Sequence, residues 1–155
     1  MTLHLVRFVS LLLVALLGGT SFGIVMGFDP SQYSASTYVE QQQHLVRALH
    51  SLMVSMVIAA TIITIVSAVM QRKNKAVFVA LLCASVLLGS CIVISRFGNL
   101  PIQQEMLTWT INTVPPHWTT LRDKWWMFHK ARTIVELIAL ALVAWSTTRT
   151  SHEYR

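Results

Sequence analysis

The chain has 155 residues, 54% hydrophobic and 12% charged, whereas soluble domains carry about a quarter charged residues. A mean hydropathy of +0.59 excludes an ordinary soluble enzyme, and the sequence between its apolar runs is too short for a separate soluble domain. The net charge of +6 is explained by orientation in a membrane and needs no nucleic-acid partner.

The first apolar run has no formal charge for 21 residues, between Arg7 and Asp29. That is enough to cross a hydrocarbon layer of roughly 30 Å. It is longer than the roughly 7–15 residues of a signal-peptide core, and no A-x-A site follows, so it reads as a retained helix. Gly19, Gly23 and Gly27 recur every fourth residue, a pattern that predicts a face of close helix packing. The first loop, about residues 28–42, holds Asp29-Pro30, a helix-start signal, then Thr37-Tyr38-Val39-Glu40, a capping-box pattern. Helix two is expected to project above the membrane before its own apolar run begins.

The second and third runs, 51–70 and 76–95, are each 20 residues without a charge. Between them stands QRKNK, with Arg72, Lys73 and Lys75. The positive-inside rule puts this turn, Arg7, and the tail with Arg149 and Arg155 in the cytoplasm. Cys83 and Cys91 are about 12 Å apart along one helix and cannot pair. No C-x-x-C occurs, which argues against a thiol–disulfide oxidoreductase.

The third loop, RFGNLPIQQEMLTWTINTVPPHWTTLRDKWW, is the most distinctive stretch. Gly98 and Asn99 are expected to end helix three, and Pro101 to open a short helix over about 101–109. Pro115-Pro116 then break the chain before the last helix, which starts near His117 to Thr120. Trp109, Trp118, Trp125 and Trp126 suit the headgroup level of a membrane. The predicted fold is all-α: one integral domain, residues 1–155. It is a four-helix transmembrane bundle, spans about 6–27, 46–70, 76–96 and 126–147, with a short extra helix in the third loop. The inner (plasma) membrane is the expected location.

The last span carries the candidate site. At about 100° per residue, Trp125, His129, Arg132 and Glu136 fall within an arc of about 60°. An ionised group at mid-depth costs about 2.5–3.5 kcal/mol, so this stripe must face protein or water. Arg132 and Glu136, four residues apart, can form an ion pair that only braces the helix; the functional reading is a polar pocket open to the outside. On helix two, Glu40, His44, Arg47 and Ser51 form a second narrow stripe, expected to be the opposite wall. His50 lies about 80° off that stripe and is less attractive. Glu40-x-x-x-His44, with His129 and Glu136, could be imagined around a metal. However, Arg47 and Arg132 would repel a cation and favour an anionic or phenolate-like ligand, so no metal is expected.

FGNLPIQQ together with LRDKWWMFHKART resembles the anthrone oxygenase-like family of small four-helix membrane proteins. The family pattern is Asn-x-Pro-x-Asn, then a tryptophan shortly before an Asn or His, then an arginine opening the last helix. Asn99, Pro101, Trp125, His129 and Arg132 match it, and Gln103 replaces the second Asn. The resemblance implies cofactor-independent oxidation of an anthrone to an anthraquinone by molecular oxygen. On that basis His129 or His44 would take the proton and Arg132 would stabilise the oxyanion. Asn99 and Gln103 would bond the quinone oxygens and Trp125 would stack on the ring, with Glu136, Glu40 and Arg47 completing the pocket. The expected partners are the lipid bilayer and a hydrophobic or aromatic small molecule, and a homo-oligomer is compatible. The alternative is a non-enzymatic membrane subunit that binds a small molecule or docks a partner through Trp109 and Trp118.

Overall fold

In a computed structural model the chain is mostly helical over the residues it describes, 2–110 and 112–149, with no strand among them; Arg155 lies outside them. Four long helices run α1 Thr2–Gly27, α2 Ala35–Met70, α3 Lys75–Ile94 and α5 Trp118–Arg149, with a short α4, Leu100–Met106. α1, α2 and α3 are long and apolar enough to cross a membrane, which makes this an integral membrane protein. α5 is as long, but Lys130, Arg132 and Glu136 interrupt its apolar character.

The helices form a ring: α1 packs on α2 and α5, and α3 packs on α2 and α5. Val14, Leu17, Ala60, Leu81, Ala84, Leu88, Ala139 and Val143 fill its centre. The residues facing away, among them Phe8, Met26, Ile62, Val86 and Ile134, are exposed and apolar, as a lipid-facing surface requires. Ser10 and Thr64 share a hydrogen bond of 3.0 Å in the interior, so two buried hydroxyls satisfy each other. At the far end Arg7 donates to the carbonyl of Thr147, joining α1 to the end of α5.

Several local expectations change. The cap of α2 is Ser34, whose hydroxyl accepts from the Thr37 amide at 3.3 Å, so Thr37 is already inside the helix and Glu40 caps nothing. Asp29 instead caps a 3-10 turn at Pro30–Gln32, accepting from the Ser31 amide at 3.1 Å. Gly19, Gly23 and Gly27 face open space, and the α1 glycine turned toward α5 is Gly18, beside Glu136. Periodicity alone showed that the three glycines share a face, without showing which neighbour that face meets.

The largest difference lies after α3. Gly98 and Asn99 do not end the helix; residues Ser95–Asn99 form a π turn that runs on into α4. Pro101 has no amide hydrogen, and its ring clashes with the carbonyl four residues earlier in a regular α-helix. A wider turn just before it lets the helix continue. Such single π turns are frequent at functional sites.

Candidate functional site

Above the packed centre, the ring does not close. A cavity of about 240 Å³ is lined by α2, the end of α3, the π turn and α5, with Leu17 and Ile24 of α1 behind it. This is just below the roughly 300–1,000 Å³ of drug-sized ligand pockets, so it suits a small rigid molecule better than a long flexible one. The walls are largely apolar: Leu45, Val46, Leu49, Met53 and Val57 on α2, with Cys91 and Leu100 opposite. Val54 and Ile58 of α2 and Ile92 of α3 also line it, yet are 41%, 45% and 39% exposed on the outer surface. The cavity therefore opens sideways between α2 and α3, toward the hydrocarbon layer.

The polar groups concentrate on α5 and the π turn. Arg132 donates to Ser95 Oγ at 3.1 Å and bonds Nδ1 of His129 at 3.2 Å, and its Nε lies 3.4 Å from Glu136 Oε1. A guanidinium has five N–H donors and no acceptor. Two are used in those hydrogen bonds, and Nε lies near the carboxylate without a hydrogen bond to it, which leaves one N–H on each terminal nitrogen for a ligand. Arg132 keeps 16% of its side chain exposed while Glu136 is 1% exposed, so the cation is the more accessible member of the pair. Ser21 of α1 lies beside both Glu136 and His129.

The same geometry defines His129. Because the guanidinium can only donate, Nδ1 must accept, and in the neutral ring the proton sits on Nε2. The ring is 1% exposed and lies parallel to Trp125 and Trp126, with centroids 5.2 and 5.5 Å away. Trp125 therefore stacks on His129 while also lining the cavity. Phe28 meets Trp125 and Trp126 edge-on, extending the cluster to the first loop. Asn99 donates to the Trp125 carbonyl at 3.0 Å, tying the π turn to α5. Its Oδ1 and the Trp125 Nε1 are buried without a hydrogen bond in the structure. Gln103, half-buried on α4, lines the outer end of the cavity.

His129, Arg132, Glu136, Asn99, Gln103 and Trp125 are thus brought to one cavity. Glu40, His44 and Arg47 are not: all three are exposed and none lines it. Their stripe lies on the exposed face of the first part of α2. The α2 imidazole that does line the cavity is His50. Arg96 of the π turn also lines it and was absent from the sequence-based set. Its place in an apolar-to-polar transition carries no periodic signal. Among the described residues, no three His, Cys, Asp or Glu side chains converge as a metal site.

A roof covers the outer end. Tyr38, Val39, Ile102, Met106, Trp109 and Trp125 form a second buried cluster. Gln43 Nε2 donates to the carbonyls of Met106 and Trp109 at 3.1 and 2.8 Å, pinning the segment after α4 onto α2. Trp109 is only 6% exposed and is part of this roof, so it cannot offer the partner-docking surface expected of it.

The family model described as anthrone oxygenase matches residues 43–142, which include every cavity-lining residue except Leu17 and Ile24 of α1. The chain belongs to the anthrone oxygenase family. Asn99, Pro101, Trp125, His129 and Arg132 all lie within the matched residues. No curated protein and no solved structure matches the chain.

Proposed function

We propose that this protein is a membrane-embedded oxygenase that uses molecular oxygen to convert a hydroxylated, anthrone-like aromatic to the corresponding quinone, in the cavity beside Arg132. The family supports the reaction class. The observation that carries the assignment to this cavity is a guanidinium with uncommitted N–H donors in a largely apolar wall.

The chemistry needs little from the protein. Loss of one methylene proton turns an anthrone into an enolate, whose charge rests on the carbonyl oxygen. The enolate gives electrons to O2 and forms a C–O bond at the former methylene carbon. Loss of water from that peroxide, with the second methylene hydrogen, gives the quinone. The substrate loses four electrons; one oxygen atom enters the product and the other leaves as water. Two N–H donors directed at the enolate oxygen stabilise charge as it develops, most effectively where water is excluded. Ser95, His129 and Glu136 hold the guanidinium in place, so little reorganisation accompanies the step.

The basic residues Arg72, Lys73 and Lys75 lie at the end of the bundle opposite the cavity. In our reading that end is cytoplasmic, and the cavity faces the outer side of the inner membrane. The test is oxygen uptake and quinone formation with anthrone by the protein in lipid nanodiscs, compared with empty nanodiscs. A rate equal to that of empty nanodiscs overturns the oxygenase reading. Saturable binding of the quinone without oxygen uptake would identify a binding protein instead.

A further inference from the structure

We propose that His50 of α2 is the proton acceptor of this site, an assignment that rests on the oxygenase reading for its substrate. The reaction needs a base that touches the substrate and can return its proton to water. His129 meets neither need, since Nδ1 is held by Arg132 and Nε2 is enclosed. Glu136 lines the cavity but is 1% exposed, with Oε1 3.4 Å from Arg132 Nε and Oε2 enclosed, so it cannot return a proton to water. His44 does not line the cavity.

His50 lines the cavity, is exposed on its outer side, and makes no hydrogen bond among the described residues. Its height follows from the helices. His50 precedes Met70, the end of α2, by 20 residues, and Ser95 follows Lys75, the start of α3, by 20. At 1.5 Å per residue both stand about 30 Å above the α2–α3 turn, near the upper edge of a hydrocarbon layer of about that thickness. Ser95 bonds Arg132, so His50 stands level with the guanidinium, on the helix diagonally across the ring from α5. A flat ketone held with its oxygen on Arg132 presents its far edge to α2. The methylene C–H bond breaks, its proton passes to an imidazole nitrogen, and the electron pair moves to the oxygen facing Arg132. The imidazolium then gives its proton to interfacial water. Arg96, Arg132 and Glu136 are the charged groups lining the cavity; Glu136 is paired with Arg132, and the two arginines favour the enolate over a bound cation.

Two measurements in nanodiscs test this. The first is anaerobic exchange of the anthrone methylene hydrogens for deuterium, which reads proton transfer without oxygen chemistry. The second is oxygen uptake. His50→Ala is expected to slow both at least a hundredfold, within the usual range for a positioned acid or base. Added imidazole is expected to restore much of the exchange, because the vacated position is open to solvent. Wild-type exchange that persists in His50→Ala, or a loss that imidazole does not rescue, overturns the assignment. Exchange that depends on His50 without oxygen uptake leaves the assignment standing and removes the oxygenase reading. Protein that catalyses neither removes both.

Discussion

Phe128 of α5 occupies the space in which a side chain at Gly98 would stand: a Cβ there would lie 2.6 Å from the Phe128 ring. The π turn and α5 approach this closely because position 98 has no side chain. The contact fixes where Ser95 and Asn99 meet Arg132 and Trp125. Gly98→Ala should lower stability by about 1–3 kcal/mol, the usual cost of overpacking. Phe128→Leu in the same chain should recover part of it. The check is the unfolding midpoint of the single and double variants in one lipid mixture.

Arg132 is asked to stabilise charge and to hold its geometry through three neighbours. Arg132→Gln should reduce the oxygenation rate by about 10²–10³, the range for loss of an oxyanion donor. Arg132→Lys should recover little, because an ammonium lacks the planar fork that reaches Ser95, His129 and Glu136 together. Steady-state oxygen uptake with anthrone gives both numbers. A lysine variant at wild-type rate would show that charge alone suffices.

Glu136→Gln leaves the guanidinium without its counter-charge. Breaking a buried pair from one side costs about 3–5 kcal/mol, and partial exposure of Arg132 should bring the loss toward the lower figure. Replacing both residues, Arg132→Met with Glu136→Leu, should restore much of the stability while activity stays absent. Stability and turnover measured on the same samples separate bracing from catalysis.

The sideways opening is bordered by Val54 and Ile58 on one side and Ile92 on the other. Val54→Trp should lower the rate for anthrone dissolved in the bilayer while leaving the fold intact, since position 54 is partly lipid-exposed. Stopped-flow binding of a fluorescent hydroxyanthraquinone should show a slower association rate. An unchanged association rate means the ligand takes another path.

Much of this was legible before any coordinates. Three uncharged runs of adequate length predict three spans from composition alone. The stripe from Trp125 to Glu136 predicts a shared face because α5 keeps a regular helical period across it. α2 differs for a physical reason: the same period groups Glu40, His44 and Arg47, but all three are exposed, and an exposed polar face needs no pocket. His50 was set aside because it left that stripe, and leaving it is what turns it toward the cavity. The π turn had only Gly98 and Pro101 as signals, and both also mark helix ends. A one-residue shift in register has no periodic signature of its own.

The sideways mouth has a practical consequence. Micelle-forming surfactants have tails of the same oily character as the molecules this opening admits, and they surround the protein at far higher concentration. A preparation that is inert in surfactant and active after return to a bilayer would reflect a plugged doorway. Extraction conditions therefore belong among the variables of any assay on this protein.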